Sequence, residues 1–397
     1  MQNIEFFDFQ NKKALIRVDF NVPLNETLEV TDSTRINAAV PSIQKVLNSG
    51  GSVILMSHLG RPKGEKQTKF SLRHIVSTVS EKIGTPVKFA EDCIGSEAEQ
   101  AASELKPGEV LLLENLRFYN EETNGDARFA KKLAGLGDVY INDAFGTAHR
   151  AHASTSIIAS YFEEDKKMFG KLIENELKAV QQVIEHGERP FTAIMGGAKI
   201  SDKILLIEKM LDKVDNLIIG GGMSYTLFKA LGGKVGSSLV EEDKLSLAKT
   251  ILSLAKEKNV NLCLPVDSII ASSFSNDADI SSSSNTEIPN GWMGLDIGSK
   301  AIKEFSSIVK KSKTILWNGP MGVFEMSNFE NGTKKLADAI AEATENGAYS
   351  LIGGGDSAAA INKFNYSNKV SYISTGGGAL LEYLEGKELP GIKAIKD

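Results

Sequence analysis

The chain has 397 residues, 42% apolar and 24% charged, with a formal net charge of −6 and a pI near 5.6. That length exceeds what one hydrophobic core usually supports, so two domains are expected, and the acidic balance argues against nucleic acid as the main partner. The first ten residues lack a basic segment followed by an apolar run, and no apolar stretch approaches the ~20 residues of a spanning helix, which excludes a membrane partner and points to the cytoplasm.

In chain order, one unit recurs: a short apolar run, then small or functional polar residues, then a helical pattern. The runs of the first half are KKALIRVDFN (12–21), GSVILMSHLG (51–60), EVLLLENLRF (109–118) and DVYINDAFG (138–146). Lys171 to Gly187 carries a helical pattern with few breakers and is taken as the connection between halves. The later runs are PFTAIMGGAK (190–199), DNLIIGGGM (215–223), NLCLPVD (261–267), KTILWNGPMG (313–322), AYSLIGGGD (348–356) and KVSYISTGGG (369–378). Continuous apolar runs bounded by turn residues predict strands buried on both faces of parallel sheets. Ile204, Ile207, Leu211 and Val214 show the intervening helical spacing, so the fold class is α/β. Asn276 to Asn285 (NDADISSSSN) reads as a solvated loop. Cys93 and Cys263 fit no metal or disulfide spacing and read as small buried hydrophobes.

Seven of the eight arginines lie in the first 150 residues: Arg17, Arg35, Arg61, Arg73, Arg117, Arg128 and Arg150, with Arg189 beyond. Asp19, Asn21, His58, Arg61 and Arg117 close apolar runs, where ligands of such sheets bind. Paired guanidinium donors at several strand ends suit a small ligand with both carboxylate and phosphate groups. Asp19 then requires that the ligand also offer a donor, such as a hydroxyl. The competing reading is ordinary surface ion pairing. His149 and His152, three apart with no third ligand nearby, make a weak metal site and read as a polar loop. Ser154-Thr155-Ser156 reads as a helix N-cap, and His74 and His186 as structural.

Most glycine clusters follow position 190. No Walker-type phosphate loop or protein-kinase signature occurs. Gly196-Gly197-Ala198-Lys199 ends an apolar run and leads into a helix whose first turn contains Lys203. Cations there oppose the helix dipole unless a phosphate pairs with them, the alternative being a solvated Lys203 beside Asp202. Asp356, behind Gly353 to Gly355, reads either as a helix cap or as the carboxylate facing a nucleotide-borne Mg²⁺. Gly220 to Gly222 and Gly376 to Gly378 are tight turns, the latter suited to an anion. From the glycine turns alone a nicotinamide-dependent dehydrogenase competes, but it lacks the ribose-binding acid and leaves the arginines unexplained. A non-catalytic nucleotide-binding protein gives no reason to keep Lys199, Lys203 and Asp356 together.

The chain resembles the phosphoglycerate kinase family through RVDFNVPL (17–24), SHLGRP (57–62), LLLENLRFY (111–119), NDAFGTAHRAHAST (142–155), GGAKISDKI (196–204), IIGGGM (218–223), LPVD (264–267), GWMGLDIG (291–298), WNGPMGVFE (317–325), GGGDS (353–357) and STGGGA (374–379), in the family's order. The resemblance implies two Rossmann-like domains facing across a cleft. They are 1–170 for 3-phosphoglycerate and 189–380 for nucleotide, joined by a helix over 171–188, with 381–397 returning to the first domain. It implies a monomer that transfers the ATP γ-phosphoryl reversibly to the carboxylate of 3-phosphoglycerate, giving 1,3-bisphosphoglycerate and ADP, with Mg²⁺ and domain closure. By motif, Asp19, Phe20, Asn21, Arg35, His58, Gly60, Arg61, Arg117 and Arg150 hold the glycerate. Lys199 and Lys203 meet the nucleotide phosphates, and with Arg35 they are the catalytic set. Gly197, Gly221, Gly294, Asn318 and Glu325 line the nucleotide pocket. Gly353, Gly354, Gly355, Asp356 and Ser357 hold its phosphates, Asp356 serving the metal, and Gly376, Gly377 and Gly378 steady the moving group. Leu380 stands where the family often has serine, Ser299 replaces a frequent proline, Ser357 is often threonine, and Phe162 to Lys171 matches poorly.

Overall fold

The computed structural model describes residues 2–397. The chain divides into two compact units: the residues up to Leu177 with Gly386–Asp397, and Lys178–Glu385. All ten apolar runs contain strands. In the first unit a parallel sheet has the spatial order Gln2–Asn3, Lys167–Phe169, Val139–Asp143, Lys13–Val18, Ser52–Met56, Val110–Leu112, Val87–Phe89. The central strands are buried along almost their whole length, as expected for sheets covered on both faces. The helix Thr34–Asn48 lays Ile36, Ile43 and Val46 on this core.

The second unit has a parallel sheet in the order Asn261–Cys263, Asn216–Ile219, Phe191–Met195, Thr314–Asn318, Tyr349–Gly353, Tyr372–Ile373. Its core gathers Trp317, Phe305, Leu336 and Ile340. Beside it, Asp267–Ala271 pairs antiparallel with both Ile280–Ser284 and Met293–Ile297. The stretch read as a solvated loop over 276–285 is therefore in part an edge strand. Its serines stay mostly exposed, so the side chains carry no hydrophobic signal while the backbone pairs.

The helix Lys171–Ile184 carries the division, between Leu177 and Lys178, inside the connection expected over 171–188. The later boundary differs from the expected one. Residues 381–385 belong to the second unit, because the helix Gly378–Leu384 buries Leu380 and Leu384 there and packs against the helix Ile204–Met210. The return to the first unit starts at Gly386. There Asn142 Nδ2 donates to Gly391 O at 3.1 Å and Lys167 Nζ to Ala394 O at 3.1 Å.

Candidate active site

The first unit opens a cavity of about 730 Å³ at the carboxyl ends of its central strands. Asp19 and Asn21 follow Lys13–Val18, His58, Gly60 and Arg61 follow Ser52–Met56, and Arg117 follows Val110–Leu112; all line it, with Arg35 and Arg150. Arg35 donates to Asp19 Oδ2 and to Asn21 O, each at 3.1 Å, so the guanidinium is already aimed across the floor. Asn21 Oδ1 accepts from Gly60 N at 2.8 Å, tying two strand-end loops together. Arg117 donates to Gly60 O at 2.9 Å. Burial, then the neighbouring Arg17, pulls Arg117 down to about 10, still a cation at neutral pH. Phe20 is fully buried and does not line the cavity; its N–H donates to Ser57 Oγ at 2.8 Å, so it fixes the loop through its backbone.

The arginines do not form one set. Arg73 pairs with Glu91 and Arg189 with Asp215 on exposed surface, so ordinary ion pairing holds for those two. Arg17 is fully buried and bonds Ser154 Oγ at 2.8 Å. Ser154 is thereby engaged with Arg17 and Glu122 and caps no helix. The next turn, Ile157–Tyr161, has Ser156 at its cap position, but its hydroxyl makes no capping bond and donates instead to Pro390 O at 3.4 Å. His149 and His152 line the cavity. Burial, followed by Arg117, Arg17 and Arg150, lowers His152 to about 4. His74, in the turn Leu72–Ile75, is tied to the preceding turn Thr68–Phe70, with Nε2 2.7 Å from Thr68 O.

The second unit forms a pocket of about 640 Å³ with a largely apolar wall. Gly197, Gly221, Gly294, Glu325 and Asp356 line it, Asn318 of the expected set does not, and Leu239, Phe274, Val323 and Met326 complete it. Gly294 has a steric reason: a Cβ there would stand 1.8 Å from Tyr225 Oη. Spacing in the sequence offers no signal for Tyr225, Leu239 or Phe274, since the helix Met223–Ala230 and two separate loops bring them together. Lys203 Nζ donates to Gly196 O at 2.6 Å and Asn318 O at 2.8 Å, behind Gly197. It is thus neither solvated nor paired with Asp202. Burial brings it down to about 8, against the upward pull of Asp356 and Asp202.

Ser201–Lys203 forms a 3₁₀ turn and the α-helix begins at Ile204. Glu241, absent from the motif reading, receives Ile200 N at 2.8 Å and Ser201 N at 3.1 Å and so holds this turn. Lys199 is exposed beside it. Asp356 sits in the first turn of the helix Gly355–Lys363, whose cap is Gly354, so it is not the capping residue. Ser357 Oγ accepts Gly319 N at 2.6 Å. Asn318 is buried with no partner for Nδ2 among the described residues. Gly376 N bonds Ser374 Oγ at 3.0 Å, and Gly377 caps the helix that follows. Leu380, in place of the frequent serine, turns inward, where it would meet a Cβ on Gly353 at 2.5 Å. Ser299 opens the helix Ser299–Lys310, a position where proline is also at home.

A guanidinium-lined cavity in one unit and an apolar pocket ending in glycine turns in the other leave open which family the chain represents. The sequence profile described as phosphoglycerate kinase matches residues 4–387. The chain belongs to the phosphoglycerate kinase family. Phosphoglycerate kinase of Porphyromonas gingivalis is 56% identical, with 99% of each chain covered. The solved structure of phosphoglycerate kinase from Coxiella burnetii is 40% identical with a TM-score of 0.88, covering 98% of this chain and 97% of that one. The Pyrococcus horikoshii enzyme is 31% identical with a TM-score of 0.83, covering 100% and 98%. The chain is therefore a kinase, and its reaction is that of the family: reversible phosphoryl transfer between ATP and the carboxylate of 3-phosphoglycerate. The nicotinamide and non-catalytic alternatives fall away. Among the described residues no helix is long and apolar enough to cross a membrane.

Proposed function

We propose that the first-unit cavity takes 3-phosphoglycerate and the second-unit pocket takes MgATP or MgADP, with transfer directly between them. One observation carries the assignment: charged groups dominate the first cavity, whereas apolar side chains dominate the second. A three-carbon acid carrying both a carboxylate and a phosphate has no hydrophobic body and must be held by matched donors, while a nucleoside base is held by apolar burial.

Arg61, Arg117 and Arg150 grip the phosphate end, Asp19 and Asn21 receive the hydroxyl, and His58, Gly60 and the backbone of Phe20 shape the site. Gly197, Gly221, Gly294, Asn318 and Glu325 form the nucleoside side. Gly353, Gly354, Gly355, Asp356 and Ser357 bound its phosphates, where helix-start N–H groups favour anions. The acceptor carboxylate, with an ordinary pKa near ~3.5, is ionised at neutral pH, so no general base is needed. What the reaction demands is alignment and neutralisation of charge on the moving group. Arg35 supplies this from the first unit, Lys203 and Lys199 from the second, with the Gly376, Gly377 and Gly378 turn behind them. Lys203, lowered to about 8 by burial, is still a cation at neutral pH and is held in place for an arriving phosphate.

Among the described residues no group of three or more potential metal ligands exists. Asp356 as a lone exposed carboxylate in a helix's first turn fits a Mg²⁺ carried mainly by the nucleotide, which keeps most of its own waters. When bound, the ion neutralises phosphate charge. Direct transfer needs both substrates in contact, so the units are read as closing on them. The chain is read as a cytoplasmic monomer. ATP consumption that depends on 3-phosphoglycerate and disappears in Lys203→Ala tests the assignment; consumption without the acid would overturn it. Small-angle scattering unchanged by both substrates together would remove closure.

A further inference from the structure

Under the first-unit cavity, outside its lining, lies a row of buried polar groups. Arg17, Ser154 and Glu122 are each fully buried. Glu122 accepts Ser154 N at 2.9 Å and Ser154 Oγ at 2.6 Å. With its hydrogen given to Glu122, Ser154 Oγ has only lone pairs left to offer. One of them receives Arg17 Nε–H at 2.8 Å. A second nitrogen of Arg17 donates to Val18 O, and the third stands 3.3 Å from His58 Nδ1. A guanidinium has donors only, so this contact needs a lone pair on His58 Nδ1. The competing arrangement, Nδ1–H directed to Asp19 Oδ1, would span 4.0 Å, too long for a hydrogen bond.

We infer that Glu122, Ser154 and Arg17 act as positioning residues that lock His58 into the neutral Nε2–H form, so that His58 gives the substrate of this cavity a hydrogen-bond donor without a charge. The inference rests on the reading of the cavity as the 3-phosphoglycerate site. The surroundings agree with it. The charged and titratable groups facing His58 are Arg17, Arg117, Arg35 and His152, with Asp19 the one acid. Burial first, then these cations, keeps the imidazole well below its ordinary value. Glu122 also answers the charge of Arg17, which would be costly to bury alone. The cluster can therefore hold one uncharged donor among its guanidiniums, and the carboxylate two residues removed decides which ring nitrogen carries the proton.

The five histidines make a direct measurement tractable. Long-range ¹H–¹⁵N spectra of the full chain labelled in histidine, with His58 assigned by its loss in a variant, report protonation at each ring nitrogen. The expected wild-type spectrum has a bare Nδ1 and a protonated Nε2, unchanged as pH falls from about 8 to about 5.5. Arg17→Met should produce a tautomer mixture that titrates in that range. For 3-phosphoglycerate, His58→Gln, which keeps a donor at the ε position, should hold KM within about threefold of wild type. His58→Asn, whose donor sits at the δ position, should raise it at least ~10-fold. A wild-type imidazolium or an Nδ1–H form overturns the inference and needs no variant that could misfold. An Nε2–H His58 whose resonance ignores added 3-phosphoglycerate instead overturns the reading of the cavity.

Discussion

In the first unit three strand ends, with Arg35 and Arg150, bring arginines, histidines and an aspartate into one cavity, and Arg35 and Arg117 are braced by carbonyls and a carboxylate of the same unit. The second unit builds its pocket from apolar side chains and closely packed glycines, keeping Lys203 behind the wall on two carbonyl oxygens. The contrast follows from the ligands' chemistry. A small polyanion can be recognised only by fixed donors, whereas a nucleotide has an aromatic body to bury and a phosphate tail for turns and dipoles.

The strongest way to break the contrast is to remove one charge from each side. Lys203→Ala should lower kcat by about 10³-fold, and Arg35→Ala by about 10²-fold or more, in a coupled steady-state assay. MgADP affinity measured by calorimetry should stay near wild type in Arg35→Ala. Comparable losses of kcat and nucleotide affinity would remove the division of labour between units.

A steric test comes next. In Gly196→Ala the new Cβ would lie 2.0 Å from Pro320 O. The pocket floor must move, so urea unfolding should show a loss of about 3 kcal/mol. An unchanged midpoint would mean that the close packing of this turn is not needed.

Titration sharpens the comparison further. Lys203, brought to about 8 by burial, loses its charge as pH rises through that value. MgADP binding should weaken by up to ~10-fold between about pH 8 and pH 9, while 3-phosphoglycerate binding, resting on guanidiniums, stays level. Parallel declines would contradict the assignment of Lys203.

The smallest effect concerns stability. Each unit buries one aspartate raised to about 7, chiefly by desolvation: Asp143 in the first and Asp296 in the second. A raised carboxyl contributes stability that is present below its unfolded value near ~4 and is lost as pH rises toward 7. The first unit also holds His58 and His152, both lowered, whose contribution is present above the unfolded value near ~6.5 and lost as pH falls. These oppose Asp143, and the second unit's core has no such counterweight. Hydrogen exchange between pH 4 and 7, corrected for intrinsic rates, should therefore show protection falling with pH more in Trp317's strand than in Ile16's. Equal slopes would refute this balance.

The parallel strands were legible because burial on both faces leaves unbroken runs such as SVILM and TILWN, and such a run needs no partner to be recognised. Val87–Phe89, Lys167–Phe169 and Ile280–Ser284 carry no comparable signal; short or edge strands are made by the neighbour they pair with. The same division holds in the candidate site. Asp19, His58, Arg61, Arg117 and Asp356 follow apolar runs directly, so local order along the chain exposes them. Arg17, Ser154 and Glu122 meet across 137 and 32 positions, and Tyr225 reaches Ser268 across 43. Periodicity and strand-end placement are local properties that the amino-acid order already contains. Which buried donor meets which acceptor is settled only when packing brings distant segments within hydrogen-bond distance, and on that pairing the protonation of His58 and the placement of Lys203 depend.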